Sequence, residues 1–389
     1  MDEEEIPGED HDLRKLIGED LYGAINVPQV VTEKVLTFEE ASKCLNTLGK
    51  DESAVRYAYL MISPLDRKLT NIAMILNFKH LLFIDVSGNF LTLDGLQVLS
   101  EMPYVLYIKA QRNMIESAAL NPMPYLQVLS LSRNCITETC DINQPMMQCL
   151  DLNYNQIYTA QFDVARTEAL KQLEMRGNQL FDISGSFPLG LENLYLAENK
   201  IARFCENDLG RLVNLKILHL RDNQIRKLNG FSENLVNLKY INLRQNKITQ
   251  IRKLNGFSEN LVNLKYINLR QNKITKVRQF RKLDKLPSLE TLVVLQNPVS
   301  GGDTRDAEIE EDEDAEIDEE ERLEDMIRVP ILILLPNLKR INKVAVTHEE
   351  REEAYETKEE RTATEILEPD WIQDIGVDGL RIDPNFYIL

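Results

Sequence analysis

One template, LxxLxLxxNx(L/I/V), recurs ten times in the 389 residues, with its asparagine at Asn89, Asn113, Asn134, Asn155, Asn178, Asn199, Asn223, Asn246, Asn272 and Asn297. The intervals run from 21 to 26 residues. Leu191-Glu-Asn-Leu194-Tyr-Leu196-Ala-Glu-Asn199 and Leu215-Lys-Ile-Leu218-His-Leu220-Arg-Asp-Asn223 are clear copies. A unit this short cannot bury its apolar side alone, so the copies must stack and share one core. The LxL portion reads as a short parallel strand with alternate side chains on one face. Leu194 and Leu196 then point inward and Tyr195 outward. The asparagine turns the chain, and its amide can serve backbone groups that the turn leaves unpaired, in its own coil and in the next.

These are leucine-rich repeats. The fold expected is α/β: a leucine-rich-repeat solenoid, a curved parallel sheet of short-repeat coils, with helical caps and a disordered acidic loop. Residues 1–34 read as an acidic N-terminal tail and 35–79 as an N-terminal helical cap with a half-repeat. Residues 80–300 carry the ten repeats, 301–327 an acidic insertion, 328–366 a C-terminal cap with a charged helix, and 367–389 a tail. Thr37-Phe-Glu-Glu40 and Thr347-His-Glu-Glu350 have the form of capping boxes. The first predicts a helix over 38–48, the second a helix running to about 366. Leu65–Ile72 resembles a degenerate half-repeat, and the only tryptophan, Trp371, lies in the tail. Residues 224–249 recur identically as 250–275, one whole extra coil.

Charge and composition narrow the chemistry. The net charge is −18, and residues 303–325 alone hold fifteen acids and two basic residues. An acidic chain is a poor nucleic-acid binder, and a run of like charge at that density is expected to stay solvated and disordered. Five cysteines, with no CxxC pair, argue against a disulfide framework or a zinc site. The start of the chain has no secretory pattern, and the longest apolar run is far too short to cross a bilayer. No phosphate loop, dinucleotide loop, zinc-protease or serine-hydrolase motif occurs. Cys149 and His219 both project from strands, but three coils at ~5 Å each separate them, too far for a nucleophile and its base. The expectation is no enzyme, no cofactor or metal, and no small-molecule, membrane or nucleic-acid partner.

The outward strand positions are more informative, because repeat solenoids commonly use the concave face for partners. In the coils ending at Asn223, Asn246 and Asn272 these positions carry Lys216, Arg221, Lys239, Arg244, Lys265 and Arg270 against one acid, Asp222. Tyr195, His219, Tyr240 and Tyr266 lie among them. Arginine and tyrosine are enriched at binding hot spots. These ten residues form the candidate partner-binding site, and the acidic loop is a competing occupant.

The segments LENLYLAENKI (191–201), LKILHLRDNQIRKLNGFSENLVNLKYINLRQNKI (215–248) and LPSLETLVVLQNP (286–298) resemble the leucine-rich repeat-containing protein 23 family, as does TFEEASKCLNTLGKDESAVRYAYLMISPLDRKLTNI (37–72). The resemblance spans about 35–300 plus the LPNLKRIN cap. It implies a protein–protein scaffold of the axonemal radial spoke, associated with the head of the third spoke in motile cilia and sperm flagella. Cytoplasmic, cytoskeletal placement, other radial-spoke proteins as partners and no catalytic residues go with it. Two other roles are compatible with the repeats: a regulatory subunit of a serine/threonine phosphatase, or an acidic leucine-rich chaperone of basic nuclear proteins. The second usually places its acidic run after the cap, and here the run precedes it.

Overall fold

The computed structural model describes residues 32–50, 55–203, 209–228, 232–249, 251, 258–300 and 326–365. The expectations for most of the N-terminal tail, for the acidic insertion over 301–325 and for the Trp371 tail lie outside these residues.

Among the described residues, fourteen strands form one sheet. Ten of them, three residues each from Phe83–Asp85 to Thr291–Val293, are parallel, and each precedes one of the ten repeat asparagines. The central residue of every strand is buried and aligned with its neighbours: Leu173, Leu194, Leu218, Ile241, Ile267 and Leu292 make one column. The expected leucine-rich-repeat solenoid is what these residues form. The buried side chains make one continuous cluster from Leu36 to Ala354, as required of coils that have no core of their own.

The asparagines do what their spacing implies. Asn223 Nδ2 donates to the Leu220 carbonyl of its own coil at 3.1 Å and to the Leu196 carbonyl of the preceding coil at 2.9 Å, while its Oδ1 accepts from Ile201 N at 3.0 Å. Equivalent bonds recur at the other nine positions, from Asn89 to Asn297. All ten are buried.

The turn contains a further regularity. The residue before every ladder asparagine has positive φ, from 52° at Gln296 to 72° at Gly88. Only two of these ten residues are glycine. At Gly177 the choice is forced, because a Cβ would lie 2.4 Å from the Tyr154 ring. Elsewhere Arg112, Arg133, Tyr154, Glu198, Asp222 and the glutamines accept the left-handed conformation, normally unfavourable by about 1–2 kcal/mol, because the asparagine bonds on either side hold it.

The caps differ in part from expectation. The Thr37–Glu40 capping box is present, but the helix ends at Lys43. Leu45–Lys50 is instead a strand, antiparallel to Tyr57–Ile62, which pairs with Phe83–Asp85 in parallel. Asn46, Thr47 and Gly49 are weak helix formers, and pairing closes the end of the sheet. The half-repeat is therefore larger than Leu65–Ile72: Tyr57–Ile62 supplies its strand. At the other end a helix over 326–334 begins inside the span assigned to the insertion, and Ile327 is already buried. Arg340–Ile341 extends the parallel sheet, Val344–Ala345 turns back on it, and His348–Glu365 forms the charged helix. Thr347 and Glu350 make the second capping box.

Arg328 locks this cap. Its guanidinium is buried, donating to both carboxylate oxygens of Glu350, to the Ile341 carbonyl at 2.9 Å and to the Ala345 carbonyl at 3.0 Å. One side chain thus joins the 326–334 helix, the terminal hairpin and the start of the last helix. The hydrogen bond from Arg328, with its charge, holds the Glu350 carboxyl below its ordinary range.

Candidate protein-docking face

A three-residue strand places its first and third side chains on the outer face of the sheet. Tyr195 and His219 are third residues in direct register, whereas Tyr240 and Tyr266 are first residues. The rings nevertheless form one row. Centroids are 5.0 Å apart for Tyr195–His219, 5.0 Å for His219–Tyr240 and 4.5 Å for Tyr240–Tyr266, the last pair 7° from parallel. The row steps diagonally where the register changes, and it crosses four coils. In the last two, the third strand position holds Asn242 and Asn268, both buried, whose Oδ1 atoms accept from Arg244 N and Arg270 N.

Two residues past each strand of the later coils stand Arg221, Arg244 and Arg270. Each guanidinium is fixed by the following coil: Arg221 Nε donates to Gln245 Oε1 at 2.9 Å, Arg244 Nε to Gln271 Oε1 and Arg270 Nε to Gln296 Oε1, both at 3.0 Å. The glutamines are the positive-φ residues of their turns, so one backbone feature sets the orientation of a whole column. Nothing in the spacing of the arginines alone indicates these partners.

The lysines fare differently. Lys216, Lys239 and Lys265 stand one residue before the strands, and the same column carries Glu192 and Glu290. Lys216 Nζ lies 2.6 Å from Glu192, and Lys265 Nζ lies 3.6 Å from Glu290, which Lys339 also approaches at 3.2 Å. The Lys216 bond holds the Glu192 carboxyl below its usual range. The positive excess counted from three coils in isolation is therefore smaller once the flanking coils are present. Of the three lysines only Lys239 has no ion pair among the described residues.

Burial pushes His219 down to about 4, helped by the Arg176 and Arg221 charges, so the imidazole is neutral at physiological pH. It acts as a ring, not a cation.

The earlier coils present a different surface that sequence reasoning did not single out. Asp151 accepts from Ser130 Oγ at 2.6 Å and from Gln111 at 3.3 Å. Glu174 accepts from Asn153 at 2.8 Å and from Gln172 at 2.7 Å. Arg176 pairs with Glu198 at 2.7 Å, and the Tyr154 ring has the Arg133 and Arg176 guanidiniums over it at 5.0 and 5.6 Å. Burial opposes ionisation of Glu198, but the Arg176 hydrogen bond and charge prevail and keep its carboxyl below the usual range. Reading charges by column across all ten coils, rather than three, would have exposed this acidic half. Cys149 lies within it. Burial, Glu174 and Asp151 raise its thiol to about 11, far from a reactive thiolate. Among the described residues no group of three or more His, Cys, Asp or Glu side chains is arranged to hold a metal, and no helix is long and apolar enough to cross a membrane.

The leucine-rich repeat family model matches residues 189–309. The chain is 33% identical over 325 residues to leucine-rich repeat-containing protein 23 of Bos taurus, covering 83% of this chain and 80% of the relative. The Homo sapiens protein of the same name is 30% identical over 341 residues, covering 87% and 84%. Among solved structures, the octameric complex of Latrophilin 3, Unc5D and FLRT2 (LRR) contains a chain matched with a TM-score of 0.50 at 19% identity, covering 65% of this chain and 84% of that one. The leucine-rich repeat domain of APL1B matches with a TM-score of 0.50 at 19% identity, covering 62% and 68%. At these identities the structural matches speak to the fold alone.

Proposed function

The chain belongs to the leucine-rich repeat-containing protein 23 family, and on that footing we propose that it is a non-enzymatic docking scaffold of the axonemal radial spoke, at the head of the third spoke of motile cilia and sperm flagella. Its fold is that of a protein-interaction module. The observation that carries the docking reading is the column of Arg221, Arg244 and Arg270, each held by a glutamine of the next coil beside a row of four contacting rings. Side chains fixed before a partner arrives lose little entropy on binding. Arginine forks suit bidentate recognition of carboxylates, and the aromatic row gives an amphipathic strip of the kind that anchors interfaces. The partner surface that fits is acidic, with an apolar stripe beside the acids.

The cellular placement rests on the family resemblance, and its test is location. A tagged chain expressed in motile ciliated cells should remain with detergent-extracted axonemes and be depleted where the third spoke is missing. A tag that extracts fully with detergent, or concentrates in the nucleus, would remove the spoke reading while leaving the docking face to be tested with purified partners.

A further inference from the structure

The densest run of unpaired positive charge among the described residues lies off the strand-lined face, on the side the chain reaches just after each ladder asparagine. Following Asn272, the exposed side chains include Lys273, Lys276, Arg278, Arg281, Lys282 and Lys285, against one exposed acid, Asp284. The turn Val277–Lys285 is anchored by buried Gln279, Phe280 and Leu283. Gln279 Oε1 accepts from Ile251 N at 3.3 Å, which lays this turn against the matching segment of the Asn246 coil. That side continues through exposed Lys247, the Arg226–Lys227 pair, and Lys200 with Arg203, and no acid interrupts residues 200–203, 224–228 or 247–249. None of these eleven cations makes an ion pair or a side-chain hydrogen bond among the described residues. The same side of earlier coils has the opposite sign, with exposed Glu116, Glu138 and Asp141.

Neighbouring coils are ~5 Å apart, inside the ~8 Å screening length of physiological salt, so these cations repel one another through water. An anion seated along them relieves that repulsion. The chain contains a matching one: residues 303–325, with fifteen acids and two basic residues, begin three residues past the last described residue of the Asn297 coil, Ser300. We propose that residues 303–325 of this same chain seat on the basic side of the later coils, along Val277–Lys285 and back toward Arg226. The lengths agree. The strip from the Asn272 coil back to the Asn199 coil covers three inter-coil steps, ~15 Å, and a 25-residue connection has a contour of ~80 Å, enough to run out and return. Covalent attachment raises the local concentration of the acidic segment to the millimolar range or above, so weak individual contacts suffice. The strand-lined face is a poorer seat for so long an acidic run, because Lys216 and Lys265 already face glutamates. An acidic external partner must displace this segment to reach the basic side. The proposal concerns a different surface from the docking face and holds whether or not that face binds a spoke protein.

The test uses the full chain and a glutamate-specific protease that cuts within 303–325. At low salt the wild-type segment should be cut about tenfold more slowly than at ~0.5 M salt, where screening reduces the contacts. Reversing Arg278, Arg281, Lys282 and Lys285 to glutamate should abolish that protection at low salt, with the melting temperature unchanged. Reversing Arg221, Arg244 and Arg270 should leave it intact. Equal cleavage of wild type and the quadruple variant at low salt would overturn the proposal, as would protection that follows the Arg221 column instead. A second measurement remains decisive if the quadruple variant folds poorly. A fluorescent glutamate-rich peptide of about 20 residues should bind a chain lacking 303–325 about tenfold more tightly than the intact chain. Equal binding to both would show that the strip is open and its occupant is another protein.

Discussion

His219 stacks on Tyr240 at 5.0 Å, with their planes 20° apart, although the two residues are offset by two positions in strand register. Tyr195, tilted by 33°, continues the row on one side and Tyr266 on the other, so a neutral imidazole joins Tyr195 to the Tyr240–Tyr266 pair, which would otherwise be separate columns.

This position predicts a pH dependence. Burial holds folded His219 at about 4 against an ordinary value of 6.5, so below pH 6.5 the unfolded chain takes up a proton that the folded chain refuses. Stability from this group is fully present above pH 6.5 and is lost progressively as pH falls toward 4. Glu192, Glu198 and Glu350 are lowered as well, but their contributions fade only as pH drops below the ordinary carboxylate value of 4.5. Between pH 7 and 5 the wild-type melting temperature should therefore fall, and His219→Phe should flatten that fall while keeping a ring in the row. An equal slope in both proteins would contradict the assignment.

The asparagine ladder predicts a contrast between two neighbouring substitutions. Asn223→Ala strips partners from the Leu196, Leu220 and Arg221 carbonyls and the Ile201 amide. Buried groups left unmet should cost about 1–3 kcal/mol, which lowers the melting temperature by several degrees. Lys247→Ala, at an exposed site, should change stability by no more than about 0.5 kcal/mol. Matched thermal melts of the two variants check this.

Arg328→Ala should destabilise the C-terminal cap by about 3–5 kcal/mol, because it leaves Glu350 and two carbonyls without their buried partner. Arg328→Lys should rescue little, since an ammonium cannot serve both Glu350 oxygens and the two carbonyls in the same plane. Hydrogen exchange should quicken over 338–346 and stay unchanged in the coils before Asn223. A uniform increase along the chain would mean that the cap is not a separate element.

The coil period and the asparagine ladder were legible in the sequence because both depend on residue identity at fixed spacing. The left-handed residue before each asparagine was not, because Gly177, Tyr154, Glu198 and Gln245 share that backbone conformation without sharing chemistry. The first hairpin was missed because the Thr37–Glu40 box marks where a helix starts, whereas the weak helix formers Asn46, Thr47 and Gly49 disfavour its continuation without marking a strand. The candidate face was legible as a set of residues but not as a device. Three arginines at one repeat position are visible in the sequence, whereas their glutamine partners lie 24 to 27 residues away on the next coil. Counting charge over three coils overstated the lysines, since Glu192 and Glu290 enter from the coils on either side. Arg328 could not be identified as a clamp because its partners come from two later elements.

The central claim is that the arginine column docks a partner in the axoneme. Its most direct test is axonemal incorporation of a tagged chain with Arg221, Arg244 and Arg270 all reversed to glutamate, after melting and circular dichroism show that the fold is intact. Charge reversal places three carboxylates where an acidic partner is expected, so incorporation should fall to background while wild type is retained, and wild-type retention should weaken as salt rises. Normal incorporation of the folded triple variant would contradict the claim.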